Sequence, residues 1–173
     1  TLSIGSGTGS AGSAENPLQI SLKNPDIGIR GIDVEICEDA DYLTARASCQ
    51  TADRTEGFLC SANPLANGCL KVVLASVSGD VIEPGTGTIF TVEYDVREDA
   101  SVGECEDVVF GEVNLQDDVK NGYSEDSLTL LPGEFCITDP SVTTTIGGGT
   151  TTTTTTPEVP APGETTTTTT TAK

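Results

Sequence analysis

The residues with the clearest chemistry in this sequence are six cysteines. No histidine accompanies them and no two of them form a C-x-x-C pair, so the usual zinc-binding and thioredoxin-type spacings are absent. An even number of widely spaced cysteines in an acidic chain is typical of disulfides formed in an oxidising compartment. The sequence therefore predicts three disulfides, although the spacing alone does not choose among the many possible pairings. The cysteines are Cys37, Cys49, Cys60, Cys69, Cys105 and Cys136.

Catalytic groups are poorly represented. The absence of histidine excludes Ser-His and Cys-His nucleophilic sites. With 27 acidic residues, a glycosidase-like carboxylate pair can be drawn almost anywhere, so no single pair is informative. The glycines between Gly5 and Gly12 include G-x-G spacing, but no helical pattern follows them. We therefore expect no enzymatic activity and no organic cofactor.

Calcium is the one ion whose ligands occur in clusters. Two groups of oxygen donors lie on turns between predicted strands, where Ca²⁺ often bridges loops, but neither has the EF-hand spacing. The alternative is a solvated acidic exterior without specific ion sites. The first cluster contains Asp117, Asp118, Asn121, Glu125 and Asp126, and the second contains Glu38, Asp39 and Asp41.

The charge and hydropathy of the chain limit its partners and its location. The formal net charge of −19 disfavours nucleic acid and anionic lipid surfaces as partners. No apolar run approaches the ~20 residues that a membrane-spanning helix needs. The sequence begins at Thr1 without a methionine, as a secreted protein does after removal of its signal peptide. These features predict an extracellular or cell-surface protein.

The first 139 residues have the patterning of an all-β domain. Apolar and polar residues alternate in several short segments, and turn signals such as Asn-Gly and Pro-Gly separate them. No stretch has a convincing helical period. Many short strands at this spacing indicate a sandwich or jelly roll. The predicted strands are 18–22, 29–36, 70–77, 89–96, 109–115 and 128–137, and 70–77 is apolar enough to predict a strand buried on both sides.

Several of these segments resemble a known family. The Gly-rich opening 2–12, the strand 18–24 that ends in Asn, and the strand 29–36 with Gly31 before its alternation look like the start of a cohesin-type domain. The segment 85–92 resembles the family's G-x-G strand, and 130–137 resembles its final strand. The resemblance implies a cohesin-like nine-strand jelly-roll sandwich over residues 1–139. The cysteines depart from the family, and no residue pattern reproduces its dockerin-binding face.

The family topology also suggests disulfide pairs. It places the end of the strand at Cys37 beside the start of the strand at Cys105, which implies a Cys37–Cys105 bridge. Cys60 and Cys69 flank the turn at 63–68 and could close a hairpin. This arrangement leaves Cys49 and Cys136 without an obvious geometry.

Residues 140–173 have a different composition, rich in Thr, Pro and Gly. They contain no apolar periodicity, so they cannot form a packed core. Threonine runs interspersed with proline are typical of an O-glycosylated stalk, and the alternative is an unmodified flexible linker. The predicted O-glycosylation sites are Thr143, Thr144, Thr145, Thr150, Thr151, Thr152, Thr153, Thr154, Thr155, Thr156, Thr165, Thr166, Thr167, Thr168, Thr169, Thr170 and Thr171.

Two segments are candidates for strand exchange between copies. At the start of the tail, Val142, Thr144 and Ile146 share one face of a β-rich segment, which could add to a neighbour's sheet edge. The N-terminal segment 2–4 is an equally plausible donor. For both, the simpler alternative is an ordinary strand of the chain's own domain.

These observations favour a structural function. The main hypothesis is a subunit of an extracellular glycosylated filament or surface assembly, in which copies of the chain join by strand addition or tail packing. The partners would then be further copies of the chain and O-linked glycans. The alternative is a cohesin-like protein-binding module of a secreted or cell-surface scaffold, with the tail as its Thr-rich linker.

Overall fold

A computed structural model describes residues 1–118, 121–124 and 127–139. These residues belong to one compact unit, Thr1–Asp139. Strands dominate it, and Asp53–Thr55 form a turn of 3-10 helix. The strands are β1 (Leu2–Ile4), β2 (Gly7–Gly9), β3 (Asn16–Asn24), β4 (Ile29–Cys37), β5 (Leu43–Thr51), β6 (Phe58–Pro64), β7 (Leu70–Ser76), β8 (Gly85–Val96), β9 (Cys105–Asp117), β10 (Gly122–Ser124), β11 (Leu130–Leu131) and β12 (Gly133–Ile137).

Two sheets pack face to face. The five-stranded sheet has the order β11-β1-β3-β8-β5, and the seven-stranded sheet has the order β2-β12-β9-β4-β7-β6, with β10 paired to β9. Most neighbours are antiparallel, but β1 pairs with β11 and β2 pairs with β12 in parallel. Because β1/β2 and β11/β12 are each one interrupted strand, the described residues give nine strands when the three-residue β10 is left aside. The predicted nine-strand sandwich is confirmed.

Alternation of apolar residues builds the core between the sheets. In β3, Leu18, Ile20 and Leu22 point inward and are almost fully buried, and the residues between them face solvent or lie at the surface. The same period-two pattern gives β4 and β8 one inward face each. Burial of this apolar surface is the main term that stabilises the sandwich. The core therefore fixes which side chains of each sheet point outward.

The first and last strands pass from one sheet to the other. The crossing lies at Gly5 and Ser6 in the first strand and at Pro132 in the last. A Cβ atom at Gly133 would collide with the carbonyl oxygen of Gly5 and with the side chain of Ile4. Glycine at this position is therefore required by the close approach of the two crossing strands.

The predicted strands all occur, but two long strands, β5 and β6, escaped prediction, as did the three-residue strands β2 and β10. β5 and β6 contain mostly polar and small residues, so they lack a clear alternation. Both lie at the edges of their sheets, where fewer residues are buried. The prediction that 70–77 is buried on both sides is wrong, because β7 exposes Val73 on the outer side of the sheet.

The six cysteines form the three predicted disulfides, but the expected pairs are wrong. The bonds are Cys37–Cys69, Cys49–Cys60 and Cys105–Cys136. The register explains the first and the last of these bonds. Ile36 of β4 pairs with Leu70 of β7, so the next residues along the two strands, Cys37 and Cys69, meet. Cys37 lies opposite Val109 in β9, whereas Cys105 lies opposite Cys136 in β12.

The Cys49–Cys60 bridge joins the two sheets. Cys60 lies opposite Leu74 and packs against the core, so it cannot close the hairpin with Cys69. It bonds instead to Cys49 of β5, at the edge of the other sheet. This bridge links the edges of the two sheets, and three disulfides fit a protein of an oxidising, extracellular compartment.

The N-terminal segment is an ordinary strand of its own domain. Leu2 is fully buried, and β1 pairs with both β3 and β11 within the chain, so it is not free to act as a donor strand. The other candidate donor (Val142, Thr144 and Ile146) and all the predicted glycosylation sites lie outside the described residues. No helix in the described part of the chain has the length and apolarity to cross a membrane.

Candidate functional site

The outer face of the seven-stranded sheet is the candidate site. Four adjacent strands, β6, β7, β4 and β9, present their outward side chains there, and we call this surface the binding face. The register places these side chains in rows across the sheet. From one end to the other, the rows are Leu59–Ala75–Gly31–Gln116, then Ser61–Val73–Asp33–Asn114, then Asn63–Lys71–Glu35, then the Cys37–Cys69 disulfide with Val109. Beside Glu35, a register shift in the β4–β9 pairing leaves Gly111 and Glu112 between the paired residues of β9.

One end of the binding face is apolar. Leu59 is 60% exposed, Val73 is 41% exposed, and Val77, just beyond β7, is 72% exposed. Ala75 lies opposite Leu59 and next to Gly31. Large exposed apolar side chains grouped in this way mark interaction surfaces rather than ordinary solvated ones. We call this the apolar end.

A shallow groove crosses the same end of the face. Gly31 and Ala75 form part of its floor, and Gly122 of β10 lies at its far side. Its volume is about 440 Å³, and Asn114 and Gln116 supply polar groups along it. Because the floor residues have little or no side chain, a partner's side chain can approach the sheet backbone there.

The centre of the binding face carries the one lysine of its four strands. The Nζ atom of Lys71 lies 2.8 Å from the Asp33 carboxylate and 3.8 Å from that of Glu35. The hydrogen bond to Asp33 raises the pKa of Lys71, so the amine stays charged. The side-chain amide of Asn114 donates a hydrogen bond of 3.0 Å to the carboxylate of Glu112, two residues earlier in the same strand, β9. Ion pairs hold this row in place, and acidic groups outnumber the lysine.

Two disulfides stiffen the far end of the same sheet. Cys37–Cys69 ties β4 to β7, and Cys105–Cys136 ties β9 to β12. A Cβ atom at Gly111 would lie only 3.0 Å from the Cys37 sulfur, so glycine lets the bridge pack against the β9 backbone. The carboxylates of Glu35 and Glu134 lie close to these bridges. Because the sulfurs are engaged in disulfides, neither group is a thiolate metal site.

The loop after β4 makes that end strongly acidic, and we call it the acidic end. A hollow of about 290 Å³ is lined by Glu38, Asp39, Glu106 and Asp107, next to Cys37. Burial, and then the neighbouring carboxylates, raise the pKa of Glu38 to about 7, although the backbone N–H of Ala40 donates to it. Sequence reasoning placed Glu38 and Asp39 on a turn but missed Glu106 and Asp107, because only the β4–β9 pairing brings them close.

Two tyrosine hydroxyl groups lie buried between the sheets. The hydroxyls of Tyr42 and Tyr94 have no hydrogen-bond partner within the part of the chain that the structure describes. Burial, and then the charge of Glu38, raise the pKa of Tyr94. Burial and the carboxylates of Glu106, Glu104 and Glu38 do the same for the pKa of Tyr42. Both phenols are therefore neutral at physiological pH.

The predicted calcium ligands at the end of β9 act within a turn. The Asp117 carboxylate accepts hydrogen bonds of 2.7 Å and 2.8 Å from the backbone and side-chain amides of Asn121, and one of 3.2 Å from the Tyr123 hydroxyl. These bonds explain a fully buried carboxylate without an ion. Asp118 is exposed, and Asp126 lies outside the described residues, so calcium binding here stays a prediction.

Comparison with known proteins identifies the architecture. The sixth cohesin of scaffoldin B from Acetivibrio cellulolyticus, solved in complex with a dockerin, matches at a TM-score of 0.67 and 20% identity, over 79% of this chain and 97% of that one. A Clostridium thermocellum cohesin in a type I cohesin–dockerin complex matches at 0.63 and 21%, over 79% and 96%. A non-cellulosomal cohesin from Archaeoglobus fulgidus matches at 0.63 and 18%, over 80% and 91%.

These likenesses concern the fold. No protein-family model and no curated protein sequence matches the chain. The resemblance seen in the opening strands, the G-x-G strand and the final strand is nevertheless confirmed by structures that cover about four fifths of the chain. The described part of this chain is a cohesin-like β-sandwich that contains three disulfides.

Proposed function

We propose that this domain is a non-enzymatic protein-binding module and that the binding face is its contact surface. The observation that carries the proposal is the group of exposed apolar side chains, Leu59, Val73 and Val77, at one end of an otherwise well-ordered sheet. The four strands span about 15 Å across, and the rows from Gly31 to Cys37 span about 20 Å. These dimensions correspond to a small interface of the kind found in transient protein contacts.

The structural neighbours support the same function. Two of them were solved as complexes with dockerins, so this sandwich architecture serves protein recognition in those proteins. The disulfides fit an extracellular location, and a Thr-rich tail fits either a glycosylated stalk or a linker of a secreted or cell-surface scaffold. In this proposal the tail, at 140–173, holds the domain away from its attachment point.

The filament hypothesis loses one of its two candidate donor strands. The N-terminal strand belongs to its own sheet, so it does not join copies by strand addition. The segment with Val142, Thr144 and Ile146 lies outside the described residues, and its role stays a prediction. A face-to-face contact between copies would also bring together chains of net charge −19, which opposes self-association. We therefore rank the binding module first.

Site-specific cross-linking tests the proposal. A photo-reactive amino acid is placed at Ser61 on the binding face or, as a matched control, at Gln19 on the outer side of the five-stranded sheet, since both are exposed. After cross-linking in the culture of the producing organism, the captured protein is identified by mass spectrometry and prepared in pure form. We expect specific capture at Ser61 and none at Gln19.

The purified partner then permits a quantitative test. Val73→Asp places a charge at the apolar end, and Gln19→Asp adds the same charge on the opposite face. We expect Val73→Asp to weaken binding about a hundredfold, and Gln19→Asp to leave it within about twofold. Binding that survives Val73→Asp but is lost with Gln19→Asp would place the contact on the other sheet and contradict the proposal.

A further inference from the structure

The binding face changes character along its strands. The row Leu59–Ala75–Gly31–Gln116 contains no charged side chain, and the next row contains one, Asp33. Beyond them, the row with Lys71 is charged, and the disulfide row leads into the acidic hollow. Since Gly31 and Cys37 are both in β4, the apolar and acidic ends are separated by about 20 Å.

The acidic end has a large excess of negative charge. The one lysine of the four strands, Lys71, lies in the row beside this end and pairs with Asp33 at 2.8 Å and with Glu35 at 3.8 Å. One ammonium group does not neutralise the carboxylates around it, so together they attract an external cation. These carboxylates belong to Glu35, Glu112, Glu38, Asp39, Glu106, Asp107 and Glu134.

The apolar end, in contrast, disfavours basic side chains of a partner. Arg30, at the start of β4, borders it and donates from Nε to the backbone oxygen of Asp118 at 3.3 Å. The guanidinium also lies against Gly79 at the end of the β7 loop. A partner's lysine or arginine would meet a like charge here and would leave apolar side chains in contact with water.

We propose, on the basis of the protein-binding function above, that the binding face accepts its partner in one direction only. The partner is a protein segment with apolar side chains at one end of a stretch of about 20 Å and lysine or arginine side chains at the other. Its apolar side chains lie over Leu59, Val73 and Gly31, and its basic side chains lie over Glu35 and Glu112. A segment placed the other way round loses both sets of contacts.

A second copy of the chain does not have this chemistry. The sequence has 8 basic residues and a net charge of −19, so it offers few cations to another copy's acidic end. Within β4, β6, β7 and β9 the one guanidinium is that of Arg30, and it already donates to the backbone oxygen of Asp118. The occupant is therefore a different protein that carries basic and apolar groups together.

A designed peptide tests the direction of binding on the full chain. The probe is a synthetic helical peptide of about 14 residues, which spans about 20 Å. The helix face designed to contact the protein carries leucines in one half and lysines in the other half. It is spin-labelled at either the leucine end or the lysine end, and broadening of backbone amide signals of the isotope-labelled protein is measured by NMR. We expect a Kd of about 0.1–1 mM, as befits a small interface.

The two labels should affect different ends of the face. The label at the leucine end should broaden the signals of Leu59 and Ala75, and the label at the lysine end should broaden those of Glu35 and Val109. Equal broadening at both ends by each label would overturn the single direction. Absence of binding, or broadening confined to the five-stranded sheet, would overturn the chemistry assigned to the face.

Charge variants provide the matched control. Glu35→Gln with Glu112→Gln removes two charges from the acidic end, and Glu56→Gln with Glu98→Gln removes two exposed charges elsewhere. We expect the first pair to weaken peptide binding about fivefold to tenfold and the second pair to change it less than twofold. Equal effects would show that only net charge matters and would overturn the proposal. The cross-linked natural partner tests the binding face independently, so the direction can fail while the protein-binding function holds.

Discussion

The outer faces of the two sheets are both exposed to solvent, but they differ in how far their side chains pair with one another through hydrogen bonds and ion pairs. On the five-stranded sheet, polar side chains pair with one another: Arg46 with Asp95 at 2.8 Å, and Gln50 with Glu93 at 3.0 Å. On the seven-stranded sheet, Leu59 and Val73 remain exposed and carboxylates outnumber the single lysine. A face whose groups are already paired with each other has little to gain from a partner.

The two faces also differ in their disulfides. Two disulfides lie on the side of the seven-stranded sheet that carries the apolar and acidic groups, and the third joins the sheet edges. A rigid surface loses less conformational entropy when it binds, which favours affinity. The binding face thus combines unsatisfied groups with covalent stiffening, whereas the other face is held by hydrogen bonds and ion pairs between its own side chains.

Removal of the Cys37–Cys69 bridge should have the largest effect. Its loop of 32 residues constrains the unfolded chain, so Cys37→Ala with Cys69→Ala should lower the free energy of unfolding by about 3–4 kcal/mol. The matched control is Cys49→Ala with Cys60→Ala, whose 11-residue separation predicts a smaller loss of about 3 kcal/mol. Urea unfolding monitored by circular dichroism measures both, and a larger loss for the shorter loop would contradict this account.

Conversion of the apolar end to a hydroxyl surface is the next test. Leu59→Thr with Val73→Thr gives the binding face side chains like those of the opposite sheet, and both substitutions keep or raise β propensity. We expect binding to the natural partner to weaken by about 2–3 kcal/mol. The free energy of unfolding should change by less than about 0.5 kcal/mol, because both side chains are exposed. Unchanged affinity, measured by calorimetry, would show that the contrast between the faces has no functional meaning.

The pH dependence of stability probes the acidic end. Because folding raises the pKa of Glu38 to about 7, the folded state binds an extra proton between about pH 4.5 and 7, and the free energy of unfolding falls as the pH rises through that window. After allowance for solvent screening, we expect a change of about 1 kcal/mol. Glu38→Gln should remove this part of the slope, while Glu56→Gln, an exposed site away from the face, should keep it. Urea titrations at pH 5 and pH 8 make the comparison, and equal slopes for parent and Glu38→Gln would refute it.

The sequence predicted the strands whose inward residues alternate, because burial of one face leaves a period-two pattern. It did not predict β5 and β6, edge strands whose residues are small or polar. Two of the disulfides depended on register: the β4–β7 pairing joins Cys37 to Cys69, the β9–β12 pairing joins Cys105 to Cys136, and a shift in either would change which cysteines meet. No local pattern in the sequence marks such a shift.

The sequence also predicted only the part of the binding face that follows from local alternation. Alternation predicted that residues such as Asp33 and Glu35 point outward, and the acidic turn after β4 was visible as a cluster. The exposure of Val73 was not predicted, because a β-branched apolar run looks the same whether one side or both sides are covered. The acidic end joins the loop after β4 to the start of β9, segments that lie far apart along the chain.

The smallest expected effect lies on the five-stranded sheet. The hydroxyls of Ser21 and Thr88 lie 3.4 Å apart, and Thr88 donates to the side chain of Gln19 at 3.3 Å. These partly exposed bonds replace bonds to water, so Ser21→Ala with Thr88→Val should change the free energy of unfolding by less than about 1 kcal/mol and leave partner affinity unchanged. Differential scanning calorimetry and the partner titration together test this. A loss of affinity would mean that the hydroxyl row takes part in recognition, and then the difference between the two faces would be one of chemistry rather than of function.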